Sequence, residues 1–208
     1  VIIITSIGSG AQDLILSEIK TLGTDTISIM PGKSEENGPP ASVMGIVITT
    51  LTYEDAKTLL EKKNSQYITD VAVYSNTNAN VSWGSNNSNF DVTGTNVGHL
   101  TMNNFNVENG RFFTVDEESN LAKVAVLGSQ AKEDLFGNSD AIGEKIKIKK
   151  QVFDVIGILE EKGTVAFQNY DDKIFIPIKT MQKLIVSSDA VGIIRAKVNS
   201  EENVPLAI

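Results

Sequence analysis

The stretch Asn106–Glu160, NVENGRFFTVDEESNLAKVAVLGSQAKEDLFGNSDAIGEKIKIKKQVFDVIGILE, decides the fold. Lys123–Leu127 (KVAVL) is a short β-branched apolar run, which predicts a buried strand. Lys145–Lys149 (KIKIK) alternates polar and apolar residues, so it predicts a strand with one wet face and one buried face. Val152–Leu159 predicts a further strand, joined to KIKIK by a turn at Lys150–Gln151. These strands indicate a small, regular α/β unit.

Short helices are predicted between these strands. Ser129 can cap a helix whose Ala131 and Leu135 share one apolar face. Thr114 and Glu117 have the spacing of a capping box, in which side chains satisfy main-chain N–H groups at the start of a helix. Almost no residue in the stretch could do chemistry, so the unit is predicted to serve packing and contact.

The same stretch contains an ordered set of motifs. They read GRFFT, KVAVLG, AKEDLFG, IGEKIKI and FDVIGIL, and they occupy Gly110–Thr114, Lys123–Gly128, Ala131–Gly137, Ile142–Ile148 and Phe153–Leu159. This order resembles the MacB-like periplasmic core domain, the large extracytoplasmic domain of ABC-transporter permeases of the MacB/FtsX-like type. The segments Leu22–Gly32 (LGTDTISIMPG) and Gln168–Gln182 resemble the same family. The resemblance covers nearly the whole chain, from Gly10 to about Val198.

The resemblance implies an α+β fold with two subdomains. Residues 1–93 and 186–208 would together form a porter-like subdomain of mixed sheet and helix. Residues 94–185 would form a small, sabre-like α/β subdomain inserted between those two parts. Asn106–Glu160 would then belong to the inserted unit, distal to the membrane.

The resemblance also implies a function and a set of partners. The domain would lie on the extracytoplasmic side of the cell membrane, periplasmic or extracellular, and relay ATP-driven motion of membrane helices in the export of a peptide, drug or lipoprotein cargo. The implied partners are the transmembrane helices of the same chain, an ABC ATPase domain or subunit, a second copy of the chain, and an adaptor or accessory protein. ATP would act on a different segment, so no catalytic residue and no cofactor are expected here.

Two other function classes stay open on the sequence. One is an extracellular sensor or peptide-binding module that takes no part in transport. The other is a lipoprotein-handling permease of the related Lol type, in which the same architecture engages a lipidated cargo. A hydrophobic helix before Val1 and three more after Ile208 would support a permease, whereas a signal peptide would favour a secreted binding module.

Composition excludes several function classes. The 208 residues carry a formal net charge of −8, which argues against a nucleic-acid partner because such a protein needs a basic face. The chain has one histidine and no cysteine, which removes thiol catalysis, disulfides and most metal sites. The sequence contains no run of 18 or more apolar residues, which is the length that a membrane-spanning helix needs. The length suffices for one good core or for two small subdomains.

Several residues could suggest a ligand site and are better explained by structure. Ser6–Gly10 (SIGSG) lacks the lysine and spacing of a phosphate-binding loop, so Ser9 is predicted to start a helix. Asp171–Asp172 could suggest a cation site, but adjacent side chains on an extended segment point to opposite faces. His99 has no partner at ligand spacing and is predicted to be a surface or half-packed histidine. We therefore predict no metal site.

Three further features have both a structural and a functional interpretation. Trp83 could stack on a ligand, but an aromatic residue on a strand more often packs across strands. Arg111 could bind a ligand, although a bidentate pair with a carboxylate of the same chain is favoured. The acidic run Asp116–Glu118 is predicted to be a solvated helix start.

The remaining elements are predicted from the same signals. Tyr67–Tyr74 predicts one strand, and Val81–Trp83 and Phe90–Thr93 predict a hairpin around the turn Gly84–Asn89. A helix capped by Thr52 should bury a stripe that consists of Ala56, Leu59 and Leu60.

The ends and one loop also carry predictions. Val1–Ile4 and Leu206–Ile208 suggest a domain cut from between two membrane helices, the alternative being an ordinary first strand and a loose tail. Pro31–Ser42 contains Pro, Gly, Ser and charged residues and is predicted to be a mobile loop.

Overall fold

The computed structural model describes residues 25–32, 50–61, 66–165 and 168–208. The helix predicted to start at Ser9 lies outside these residues, as does most of the loop predicted at Pro31–Ser42. Within the described part of the chain the fold is a mixed α/β fold dominated by one large sheet.

The strands are numbered in chain order. They are β1 (Thr26–Ile29), β2 (Ile68–Trp83), β3 (Asn86–Thr95), β4 (Val107–Gly110), β5 (Val124–Leu127), β6 (Lys145–Ile148), β7 (Gln151–Leu159), β8 (Thr164–Val165), β9 (Gln168–Asn169), β10 (Lys173–Pro177) and β11 (Ile193–Val198). Among the described residues, nine strands form a single sheet in the order β1-β11-β2-β3-β10-β5-β7-β4, with β6 pairing to both β2 and β7. Strands β8 and β9 form a separate two-stranded ribbon between β7 and β10.

The helices are short. They are α1 (Tyr53–Leu59), α2 (Gly98–Asn103), α3 (Val115–Ser119), α4 (Ser129–Phe136), α5 (Ile178–Thr180) and α6 (Val204–Ala207); a π-helical segment, Met181–Val186, continues α5, and a 3₁₀ turn, Glu201–Asn203, precedes α6. The predicted Thr52 cap of α1 and the predicted capping box of α3 are confirmed, and Thr52 forms its own capping box with Asp55. Helix α4 begins one residue earlier than predicted, because Gly128 and not Ser129 occupies its N-cap position.

Strand β2 corrects the prediction for residues 67–93. The two predicted segments are one strand of 16 residues, because the polar stretch Ser75–Asn80 stays paired with β3 along its whole length. The turn has two residues, Gly84 and Ser85, instead of the predicted six. Gly84 has φ +55, as the first position of a type II′ turn requires, and this turn is compatible with the twist of the flanking strands.

The strands predicted within Asn106–Glu160 are confirmed. The four residues of β5 are buried, and the alternation of KIKIK puts Ile146 and Ile148 at 0% exposure while the lysines stay in water. The turn between β6 and β7 lies at Lys149–Lys150, one residue earlier than predicted, with Lys149 at φ 53.

The two faces of the sheet are covered differently. One face, which we call the helix face, carries α1, α4 and the π-helical segment, packed on alternate residues of β2 that include Val73 and Val81. The opposite face, which we call the aromatic face, carries α2 and the ring cluster Phe105, Phe112, Phe113, Tyr170 and Phe175. Residues on either face alternate along each strand, as the pleat requires.

The helix face has two apolar clusters, and β2 contributes to both. The first half of β2 supplies Val71 and Val73 to a cluster with α1 and β11, and the second half supplies Ala79 and Val81 to a cluster with α4, β6 and β10. The sheet itself runs through without a break, and the predicted boundary between residues 93 and 94 falls inside β3. The division into two subdomains therefore stays a prediction.

The first and last strands of the described chain lie side by side. Strands β1 and β11 are antiparallel, and the amide of Val198 donates to the carbonyl of Asp25 at 2.7 Å. Ile68, where β2 begins, pairs with Val198 at the same end of the sheet. The hairpin tip at Gly84 is at the other end of β2, about 50 Å away along the strand at the usual rise per residue.

Candidate functional site at the helix junction

A wide groove lies where α1 meets α3 and the π-helical segment. It has a volume of about 480 Å³. Its walls come from the start of α1, the end of α3, the α5–π helix and the loop before β11, and they consist of Thr52, Tyr53, Glu54, Ser119, Leu121, Lys179, Gln182, Lys183 and Asp189. The groove thus lies between α1, which packs in the apolar cluster with β11, and the π-helical segment, which packs in the cluster with α4.

A partly buried hydrogen bond joins α1 to α3 beside this groove. The Tyr53 hydroxyl of α1 donates to Glu118 Oε1 of α3 at 2.5 Å. Glu118 is only 3% exposed, and burial raises the pKa of its carboxyl, which the hydrogen bond from Tyr53 partly offsets. Burial and the same carboxylate also raise the pKa of Tyr53. The prediction that Asp116–Glu118 is a solvated helix start is therefore wrong for Glu118.

The neighbouring Glu117 holds the start of α3. Both of its oxygens accept from the Arg111 guanidinium at 2.7 Å, so the predicted pair between Arg111 and a carboxylate of the chain is confirmed. The main-chain amide of Thr114 also donates to Glu117. These donors, with Arg111 first, lower the pKa of Glu117 to about 2. Two adjacent glutamates on one short helix thus have opposite environments.

The π-helical segment makes the other side of the junction. Its Met181 is fully buried against Gly94 of β3, where an added Cβ would lie 2.4 Å from the Met181 Cβ. Gln182 donates to the carbonyl of Asp189 at 2.6 Å, and Thr180 donates to the carbonyl of Ala122 at 2.9 Å. π-helical turns are rare in proteins, and those that occur are often at functional sites. This segment is therefore a candidate part of a functional site.

His99 corrects a prediction on the aromatic face. It is 0% exposed, where a surface or half-packed histidine was expected. Its ring stacks 4.6 Å from that of Phe175 and 5.0 Å from that of Phe105, and its Nδ1 lies 3.1 Å from both the Tyr74 hydroxyl and the Asn103 amide nitrogen. Burial, followed by the nearby cations, lowers the pKa of His99 to about 3.

The other residues considered from the sequence take structural positions. Trp83 packs on Phe136 with ring centroids 4.4 Å apart, and its Nε1 donates to Glu144, so the packing interpretation is confirmed. Asp171 is buried and accepts from the amides of Lys162 and Gly163, whereas Asp172 is exposed.

The described residues contain neither a metal-ligand cluster nor a membrane-spanning helix. No group of three or more His, Cys, Asp or Glu side chains in this part of the chain could hold a metal ion. No described helix is long and apolar enough to cross a membrane.

Leu60, predicted to be buried with Ala56, is 43% exposed because it lies beyond the last turn of α1.

Comparison with known families decides what kind of domain this is. The sequence pattern that defines the MacB-like periplasmic core domain matches residues 1–208. The chain belongs to this family. The resemblance noted in the motifs of Asn106–Glu160 is thereby confirmed for the whole chain.

Among curated relatives, the MacB-like domain matches macrolide export ATP-binding/permease proteins. The MacB protein of Chlorobium luteolum is 29% identical over 204 residues, which is 98% of this chain and 30% of the relative. That of Wolinella succinogenes is 30% identical over 181 residues, or 86% of this chain and 27% of the relative. The chain thus spans less than a third of the length of these relatives.

Solved structures show the same fold. The periplasmic region of MacB from Actinobacillus actinomycetemcomitans superimposes with a TM-score of 0.77 at 23% identity, covering 93% of this chain and 83% of that one. The extracellular domain of the noncanonic ABC-type transporter YknZ from Gram-positive bacteria gives 0.70 at 17% identity, with 88% of each chain covered. The MacB-like fold is therefore established at the level of topology.

Sequence reasoning did not find the helix junction. Tyr53 and Glu118 are 65 positions apart, and neither stands in a motif. One weak signal existed, since the Thr114–Glu117 capping box fixes the rotation of α3 and leaves Glu118 facing away from Glu117. At this junction the titratable groups of Tyr53 and Glu118 join two helices by a hydrogen bond.

Proposed function

We propose that this chain is the extracytoplasmic domain of an ABC-transporter permease and that it relays motion of the membrane helices to cargo or partner proteins. The family, the names of its curated relatives and the fold shared with the periplasmic region of MacB support the proposal. In this role the domain lies outside the membrane, and ATP is hydrolysed by a nucleotide-binding domain or subunit elsewhere.

The continuity of β2 is the observation that carries the proposal. This strand begins beside the paired segments Asp25 and Val198, passes through both apolar clusters of the helix face, and ends at the hairpin tip. Displacement of one end of a hydrogen-bonded sheet moves the other end with it, because main-chain hydrogen bonds resist stretching and shear. A fold of this kind transmits movement over the length of β2.

We also propose the division of labour implied by the family. Residues 1–93 and 186–208 act as the porter-like part, and residues 94–185 as the sabre-like part. The cluster built from α1, β11 and the first half of β2 supports the former, and the cluster around α4 and β6 supports the latter. The helix junction of Tyr53 and Glu118 then ties the two parts together.

The proposed partners follow from this placement. They are the membrane helices of the same protein, the ABC ATPase domain or subunit, a second copy of the permease, and an adaptor or accessory protein that receives the movement. The cargo class is a peptide, drug or lipoprotein, and the curated relatives carry macrolide export in their names.

A distance measurement in the full-length protein tests the relay. The chain contains no cysteine, so spin labels at Ser85→Cys and Lys197→Cys report the two ends of the sheet without background from this domain. ATP binding should leave the distance between these labels within one chain unchanged. It should change the distance between the Ser85 labels of the two copies. Labels that do not respond to nucleotide in any pair would contradict the relay.

A sensor or peptide-binding module is the second candidate, and the groove of about 480 Å³ favours it. In that case a peptide, and not nucleotide, should move the same labels. The flanking gene sequence gives an independent test. A hydrophobic helix encoded before Val1 and three after Ile208 support the permease, and a signal peptide with no membrane helix contradicts it.

A further inference from the structure

A small polar cavity lies on the aromatic face, away from the helix junction. Its volume is about 30 Å³, enough for two water molecules or one small polar group. Side chains of four adjacent strands (β11, β2, β3 and β10), of α2 and of the turn before β10 line it, namely Tyr74, Asn76, Thr93, His99, Tyr170, Lys173, Phe175, Ile193 and Arg195. Neither the packing of the core nor the proposed relay requires it.

The guanidinium of Arg195 lies at this cavity without a carboxylate partner in the described part of the chain. Its Nη1 makes two long contacts, 3.3 Å to Asn103 Oδ1 and 3.4 Å to the Tyr170 hydroxyl, and its Cζ lies 5.3 Å from the Tyr74 ring centroid. A guanidinium has five N–H donors, so most of its hydrogen-bonding capacity is unused among the described residues. Arginine–carboxylate pairs are frequently bidentate, and Arg111 forms such a pair with Glu117, whereas Arg195 has none among the described residues.

Two polar atoms at the cavity wall also have no partner among the described residues. Thr93 is 2% exposed and its Oγ1 makes no hydrogen bond, and His99 is 0% exposed with Nε2 unpartnered. Buried polar atoms are normally paired, and an unpaired one destabilises the fold, so each needs an explanation such as a bound group. The hydroxyl of Thr93 can donate to a group that enters the cavity.

The charges around the cavity sum to an excess of positive charge. Lys173 is 8% exposed and pairs with Asp91 at 2.6 Å, so those two cancel. Lys162 lies over the Phe105 ring and donates to main-chain carbonyls, and Asp171 accepts from main-chain amides. Arg195 is left as a cation near a neutral histidine, in a chain whose formal net charge is −8.

We propose that this cavity is a binding site for a carboxylate group, with the Arg195 guanidinium as its main ligand and the Thr93 hydroxyl as a second donor. A carboxylate matches the fork of the guanidinium, the small volume and the apolar rings around it. The source is either a small free carboxylate or the carboxyl terminus of a peptide. The site lies beyond the proposed relay and does not depend on it.

The two arginines of the chain make a direct test possible. Arg111 and Arg195 should give two Nε–Hε cross-peaks in the NMR spectrum of the isotope-labelled chain. Acetate is added at constant ionic strength, with chloride as the compensating anion. The Arg195 peak should shift and saturate, whereas the Arg111 peak, already held by Glu117, should stay in place. If both peaks stay in place, or both drift linearly, the proposal is wrong.

Two peptides distinguish the sources of the carboxylate. Acetyl-Ala-Ala with a free carboxyl terminus and the same peptide as its amide are titrated in the same way. Tighter binding of the free acid than of acetate assigns the site to peptide termini, and equal or weaker binding assigns it to small free carboxylates. Binding of the amide as tightly as the acid would overturn the proposal.

Variants confirm which residue is responsible. Arg195→Gln should weaken acetate binding about tenfold to a hundredfold, measured on the amide peaks of Thr93 and Lys173, because one charged hydrogen-bond donor is lost. Arg111→Gln removes the same charge elsewhere and should leave binding unchanged. Arg195→Lys keeps the charge and loses the fork, so it should bind more weakly than the natural chain. Equal binding in all four chains would overturn the assignment.

Discussion

At the scale of single residues, His99 and Glu118 show how the fold fixes protonation. Each lies in surroundings that disfavour its charged form, His99 among phenylalanine rings and Glu118 beneath the helix junction. Burial causes both effects on stability, but the two effects depend on pH in opposite directions. His99 is destabilising when protons are abundant, and Glu118 is destabilising when they are scarce.

Replacement of His99 by phenylalanine should flatten the acid side of the stability profile. The folded chain holds the pKa of His99 at about 3, against 6.5 in the unfolded chain, so the unfolded state binds more protons as pH falls below 6.5. Between about pH 7.5 and about pH 5 this costs the natural chain about 2 kcal/mol. Urea unfolding at both pH values should show that loss in the natural chain and not in His99→Phe. Equal losses would show that His99 is not the group responsible.

Glu118→Gln should act on the other side of the profile. The raised pKa of Glu118 means that the folded chain holds a proton that the unfolded chain releases, so stability falls as pH rises above 4.5. Glutamine keeps an oxygen that can accept from Tyr53 and has no charge to bury. The variant should therefore gain stability relative to the natural chain between acidic and neutral pH, as measured by thermal unfolding across that range. A constant difference at every pH would contradict the prediction.

At the scale of elements, contacts between helices and strands hold the two apolar clusters of the helix face together. Helix α1 meets α3 through the hydrogen bond of Tyr53 to Glu118, and the π-helical segment meets β3 through Met181 and Gly94. The first contact is partly buried and the second is buried; the first depends on the Tyr53 hydroxyl and the second on the absence of a Cβ at Gly94. Removal of the hydroxyl, or addition of the Cβ, should weaken the contact and leave the large side chains in place.

Tyr53→Phe should weaken the contact of α1 with α3. The substitution removes the donor on α1 from the buried Glu118 carboxylate, which costs about 1–3 kcal/mol of unfolding free energy. In a Glu118→Gln background the same substitution should cost less, since a neutral amide loses less on burial without a partner. A double-mutant cycle by urea unfolding gives the coupling energy. Equal costs in both backgrounds would show that the hydrogen bond does not couple the helices.

Gly94→Ala should destabilise the contact of β3 with the π-helical segment. The added Cβ would lie 2.4 Å from Met181 Cβ, an atom fixed close to the main chain, so the segment must shift. Overpacking of this kind costs about 1–3 kcal/mol. Gly192→Ala is the matched control, because its Cβ would meet only the Tyr74 carbonyl at 3.6 Å. Similar melting temperatures for both variants would contradict the proposed close contact.

Local signals predicted elements better than they predicted their surroundings. The capping boxes at Thr52 and Thr114 and the alternation in KIKIK depend on neighbours in sequence, and all were found. The burial of His99 was missed because its ring partners come from distant segments. The continuity of β2 was missed because polar residues such as Asn76 and Asn78 lack strand preference and are held in the strand by pairing with β3.

At the scale of the whole molecule, the sheet is the feature that joins all other parts. Both faces are covered, and the strands that begin and end the described chain are neighbours at one end of it. The family-based division into two subdomains and the unbroken sheet lead to different expectations for unfolding. Two subdomains would open separately, whereas one sheet would open as a unit.

Native-state hydrogen exchange distinguishes these cases. The hydrogen-bonded amides in the two halves of β2, residues 68–74 and 79–83, should exchange with the same opening free energy, because both halves belong to one cooperative sheet. A denaturant series measured by mass spectrometry gives both values. If the second half stays protected while the first half opens at a free energy lower by several kcal/mol, the sheet contains two folding units.

The hydrogen bond between Val198 and Asp25 has a further consequence for protein engineering. It puts residues 25 and 198 at neighbouring positions in a ladder, with Cα atoms about 5 Å apart. The segment between these two residues therefore begins and ends at almost the same place. A linker of two or three glycines could replace it and keep the spacing of whatever the domain is attached to. The domain can thus be removed, or exchanged for a relative's, as a cassette.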